Sequence, residues 1–238
     1  IDGLKFIKED KDNDSLSVIV NDHEDRPFDT EDDFDKNSIY WESQGYKCYY
    51  FGDGEDGAMK TGKNTIDIDG ENYNFYFEKS GGKKGQGVTG EEDDKYYQSG
   101  KLLEAGSDEK YQVVMRTKNG VEDGKDVYAY QTLDDFDAFQ SVLDNDNIAY
   151  SEGVTESNIA ALKDLGVNKD ADDLSELYII GKDADGKYEL SNEDFFLVNT
   201  SGKVIDTNSK SKDGNDYVFV TKKAGSEPGQ IVAIYVED

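Results

Sequence analysis

Tyr49-Tyr50-Phe51 followed by Gly57-Ala58-Met59-Lys60-Thr61-Gly62, then Tyr73-Asn74-Phe75-Tyr76-Phe77 followed by Gly85-Gln86-Gly87-Val88-Thr89-Gly90, repeat one pattern. Each copy is a clump of aromatics, a Gly-rich turn and a short strand, and the two Thr-Gly pairs end 28 residues apart, at Gly62 and Gly90. A unit of that length is one supersecondary element that cannot bury its own apolar face and must stack on neighbours. The alternation of Tyr49 with Phe51, and of Tyr73 with Phe75 and Phe77, points each set to one face of a sheet.

Working outward, Ile66 to Gly70 and Tyr73 to Phe77 read as a hairpin, because Asp69-Gly70 supplies the positive φ that a tight turn requires. Strands over 46–51 and 58–61, joined by a turn over 52–57, form the expected hairpin before it. Tyr96 to Leu103 is a shortened third unit, and Tyr111 to Arg116 and Val127 to Tyr130 alternate like further strands.

This arrangement resembles the cell-wall-binding repeats of Gram-positive surface proteins, of the choline-binding and glucan-binding type. Residues 49–114 carry the likeness, with an echo from Phe195 to Ile205 that Tyr217-Val218-Phe219 closes. The resemblance implies a mainly β fold, a solenoid-like array of β-hairpins with a small helical insertion. It also implies secretion to the cell surface and a binding or anchoring role without catalysis. In that family the ligand sits among aromatic faces closed by a Met, which here implicates Trp41, Tyr49, Tyr50, Met59, Tyr73 and Tyr76. Cys48 stands where the family's first Trp would be, Lys63 where a second often follows, and Trp41 is the chain's one tryptophan. The remaining tyrosines favour stacking on sugar rings over a quaternary-ammonium cage. The expected partner is therefore a cell-wall polysaccharide of glucan type, or choline-bearing teichoic acid.

Composition agrees with a lean, aromatic-cored β protein. The 238 residues are 35% apolar, 34% charged and 12% aromatic, with 24 glycines for turns and only 2 prolines. The net charge of −28 repels phosphate backbones and anionic lipid, so neither nucleic acid nor membrane is an expected partner. One cysteine, Cys48, allows no intrachain disulfide. The opening Ile1-Asp2-Gly3 reads as a mature or truncated chain whose targeting segment, if any, is missing.

Four regions are expected: an N-terminal hairpin region over 1–39, repeats over 40–131, a helical insertion over 132–177 and C-terminal hairpins over 178–238. In the first, Leu4 to Lys8 and Leu16 to Val20 are strands, and 22–35 is an acidic connection in which His23 is a solvated loop residue. In the third, Thr132 to Asp135 starts one helix with Phe136, Phe139 and Leu143 on its face. Ser157 to Leu165 forms a second, stopped by Gly166, and Asp172 to Leu177 adds a turn. Tyr178-Ile179-Ile180, Lys187 to Leu190 and Ile231 to Val236 are late strands.

The aspartate runs at 10–14 and 183–186 imitate calcium loops, but each lacks key ligands of a twelve-residue loop and reads as a hairpin tip. No phosphate-cradling loop, nucleophile elbow or His/Cys cluster is present, so catalytic residues, metal and cofactor are all expected to be none. A second reading is a scaffold or adhesin that presents 132–177 to a protein partner.

Overall fold

The computed structural model describes residues 2–52, 54, 57–133, 136–144, 148–181, 193–205, 210–212, 216–222 and 229–238. The chain is mainly β with a small helical part, and forms two compact units: 1–103 with 119–131, and 104–118 with 132–238.

In the first unit β1 (Leu4–Asp10) and β2 (Ser15–Ile19) form the expected hairpin. Its tip is tied by the Asp10 carboxylate, which accepts from the Asp12 N–H (3.1 Å) and the Asn13 amide (2.7 Å). Those bonds hold the Asp10 carboxyl below its usual range, the Asn13 bond foremost.

Helix α1 (Glu31–Ser43) follows, where sequence reading expected a connection and then a lead into the first repeat. Thr30 caps it by accepting from the Asp33 N–H, and Glu31, Asp32 and Asp33 meet the positive end of the helix dipole. Phe34, Ser38 and Trp41 form its buried stripe. Trp41 is thus a core residue on a helix. His23 is half-buried with its ring 5.1 Å from Trp41, which corrects the solvated-loop expectation.

Strand β3 (Lys47–Tyr50) pairs with β1, in the register Phe6 with Cys48 and Leu4 with Tyr50. The expected hairpin between 46–51 and 58–61 does not form. Tyr50 accepts one bond from the Lys60 N–H, but 57–61 has no strand. The distant β1 wins because Leu4 and Phe6 alternate in step with Cys48 and Tyr50 and bury with them.

The hairpin read from Ile66–Gly70 and Tyr73–Phe77 forms, whereas 85–89 has no strand. Strands β4 (Gly62–Ile68) and β5 (Glu71–Phe77) are joined by Asp69 and Gly70, with φ of 55° and 86°. They continue into β8 (Lys101–Leu102), β7 (Lys95–Gln98) and β6 (Gly90–Glu92), giving a sheet ordered β4-β5-β8-β7-β6. The two copies are therefore not equivalent, since Tyr49 and Tyr73–Phe77 lie in different sheets. Both sheets and α1 share one core, with Phe6 edge-on to Phe28 (5.4 Å) and Phe34 edge-on to Phe75 (5.4 Å). Gly87 lets the backbones close up, because a Cβ there would lie 2.5 Å from the Ser99 carbonyl oxygen.

In the second unit β11 (Tyr150–Glu152), β12 (Leu174–Ile180), β16 (Ile231–Glu237), β15 (Tyr217–Thr221) and β14 (Lys210–Lys212) form an antiparallel sheet in that order. Helix α3 (Glu156–Asp164) packs on one face through Ala161 and Leu162. On the other face lies α2 (Phe136–Leu143) with β13 (Glu193–Asn199), which pairs with residues 111–117 of β9 (Tyr111–Glu122). The end of β9 and most of the next strand, β10 (Lys125–Leu133), belong to the first unit. Both expected helices are present. However, Thr132 belongs to β10, and Asp134 and Asp135 lie outside the described residues. Of the turn expected over Asp172 to Leu177, only Asp172 and Asp173 are helical, in a short turn at Ala171–Asp173, and Leu174 onward is strand because its leucines pair with β16. The turn at 183–186 and the strand at 187–190 lie outside the described residues.

Candidate functional site

The six residues singled out for ligand binding are all in the first unit, but they pack on different neighbours. Trp41 is 7% exposed and meets Tyr40 and Tyr46 edge-on at 5.0 and 5.5 Å. Tyr76 is 8% exposed and packs on Tyr97 at 5.9 Å. These two are core, not ligand faces. Tyr50 turns inward and stacks on Phe77 at 6.2 Å. Met59 is exposed, with its sulfur against the Gly85 turn: a Cβ on Gly85 would meet it at 2.3 Å. The expected Met lid therefore sits at Gly85.

Tyr73 is part of a polar clamp between α1 and the sheet. The buried Lys101 ammonium meets Glu31 at 2.5 Å and both oxygens of Asp35 at 2.8 and 2.9 Å, and lies 5.1 Å from the Tyr73 ring centre. The Tyr73 hydroxyl lies 2.9 Å from both Glu31 and Glu71 carboxylates. Burial, then those two acceptors, pushes its pKa up. Burial also raises the Asp35 carboxyl, with Lys101 pulling the other way.

A second half-buried carboxylate, Glu42, accepts from Thr89 (2.7 Å) and Gln98 (3.1 Å), and desolvation raises its pKa. Gln98 in turn accepts from the Tyr130 N–H. Burial first, and Glu42 second, raises the Cys48 thiol well above its usual range, which leaves it a protonated, inert core residue. Nothing in the sequence pairs Glu42 with residues 47 and 56 positions away; only the fold does so.

Two features face solvent. Tyr49 and Phe51, both half-buried, lie side by side off β3 with centroids 6.5 Å apart and planes tilted by 33°. Period-2 spacing had placed them on one sheet face; the rings are neighbours, although Phe51 lies one residue past the end of β3. The second feature is a cleft of about 730 Å³ whose lining includes Tyr50, Phe28, Asn21 and Asn72. Asp2, Asp29, Asp67 and Asp69 also line it, with Lys5 as a cation among them. Of these, only Tyr50 was singled out in the sequence. The alternating Asp67 and Asp69 beside a Gly turn were the available signal.

No group of three or more His, Cys, Asp or Glu among the described residues is arranged to hold a metal ion. No helix among them is long and apolar enough to cross a membrane. Compared with protein-family models, curated proteins and solved structures, the chain matches none.

Proposed function

We propose that this chain is a non-enzymatic cell-surface protein that holds a cell-wall polymer on the Tyr49–Phe51 face of its first unit. The observation that carries the reading is that pair of half-buried rings, side by side at the end of β3 and just beyond it. A quaternary ammonium is held best by rings closing on it from several sides, whereas a flat sugar face stacks on a platform. Two rings on one face, with Met59 elsewhere, make a platform. Glucan-type carbohydrate is therefore preferred to teichoic-acid choline. The likeness of 49–114 to wall-binding repeats supports the same ligand class.

The test is retention on insoluble glucan and on isolated cell walls. The double variant Tyr49→Ala, Phe51→Ala should lose at least tenfold in affinity with an unchanged unfolding midpoint. Retention on a choline matrix instead of glucan would replace the ligand; retention on neither, nor on walls, would end the proposal. Substituting Trp41 is not a fair test, because it opens the core.

A further inference from the structure

The cleft differs from the aromatic face in one respect: an open strand edge forms one of its walls. Among the described residues β4 is at the end of its sheet, and five consecutive residues, Thr65 to Asp69, line the cleft. Its register shows which backbone groups face outward. Asp69 and Gly70 form a two-residue turn, so the flanking pair Ile68 and Glu71 exchange hydrogen bonds. Alternation makes Ile66 with Tyr73 the next such pair. Thr65 and Asp67 therefore turn their N–H and C=O groups away from β5, toward the free edge. β5 obeys the same alternation on its other side, where the Tyr76 N–H donates to the Gly100 carbonyl at 2.8 Å.

We infer that this edge receives an extended, lysine- or arginine-bearing segment of a partner protein, added as a further strand along β4. A peptide residue matches the edge because its own N–H and C=O answer those of Thr65 and then Asp67 two residues on; hydroxyls alone do not repeat in that way. Charge selects the side chains. Asp2, Asp29, Asp67 and Asp69 line the cleft and all four are exposed. The chain's own charge of −28 makes a second copy a poor occupant. Lys5 adds an independent pointer. It is 9% exposed, and among the described residues its ammonium donates only to the neighbouring Leu4 carbonyl at 3.1 Å, so two N–H donors remain for a peptide carbonyl. An edge left unpaired and lined by carboxylates would also repel acidic strands, which fits selective addition.

The experiment titrates the whole chain with a capped pentapeptide alternating Lys and Val, its Glu/Val counterpart, its backbone N-methylated form and a neutral glucan oligosaccharide. Binding of the Lys peptide should slow hydrogen exchange of the Thr65 and Asp67 amides. Affinity should fall at least tenfold for the N-methylated peptide and for the double variant Asp67→Lys, Asp69→Lys, and the Glu peptide should not bind. Equal binding of the N-methylated form, or unchanged exchange at Thr65 and Asp67, would overturn strand addition and leave surface charge alone. The oligosaccharide arm reads the aromatic face separately, because it responds to Tyr49→Ala and Phe51→Ala and not to the aspartate changes.

Discussion

Trp41 and Tyr76 have the chemistry of a ligand cage, but each is more than nine-tenths buried. Residue type and spacing state that a ring is apolar on one side. They do not state whether the other side meets solvent or a neighbouring element. Glu42 makes the same point for charge. It is a carboxylate followed by the exposed, polar Ser43 and Gln44, yet it is partly desolvated and its pKa is raised. The native state then holds this proton more tightly than the unfolded chain does. Its contribution to stability is full below the ordinary carboxylate pKa and is lost as pH rises through the raised value. Glu42→Gln should therefore raise the denaturation midpoint relative to the parent at neutral pH. The difference should shrink as pH falls through that window. A pH-independent difference in urea melts would refute the assignment.

Among the elements, α1 and the β4–β5 hairpin show two kinds of determinant. The hairpin is local: Asp69-Gly70 sets the turn, alternation sets the register, and both were readable. α1 also carries local signals, a Thr30 cap three residues before Asp33 and apolar Phe34 and Trp41 at helical spacing. Its stripe includes Ser38 and sits among charges, which hid it from a reading led by aromatic runs. Besides its share of the core, α1 is tied to the sheet by Lys101, 66 residues from Asp35 in sequence. Breaking a buried pair leaves uncompensated charge, so Lys101→Met should cost about 3 kcal/mol in chemical denaturation. Adding Glu31→Gln and Asp35→Asn should recover most of that loss; no recovery would mean that Lys101 acts through its packing alone.

For the whole molecule, the charge of −28 acts on both units and is screened by salt over about 10 Å at 0.1 M. Raising ionic strength from about 0.05 to 0.5 M should therefore raise the thermal midpoint, on the order of 5 °C. A falling midpoint would show that attractive surface pairs outweigh the repulsion. The helical stretch also belongs at this scale. Phe139 and Leu143 fill one core cluster of the second unit and Ala161 and Leu162 another, so deleting 132–177 would remove core as well as any docking surface. From sequence alone came the β class, the second hairpin, the two helices after 132 and the shared face of Tyr49 and Phe51. Each of these rests on periodicity and turn chemistry within a dozen residues. The tertiary structure alone decided that β3 joins β1, that Trp41 is buried and Tyr49 only half so, and that four aspartates and Lys5 line a cleft beside β4, the end strand of its sheet among the described residues. Those outcomes depend on which distant apolar faces exclude water together, and that competition has no local signature in the chain.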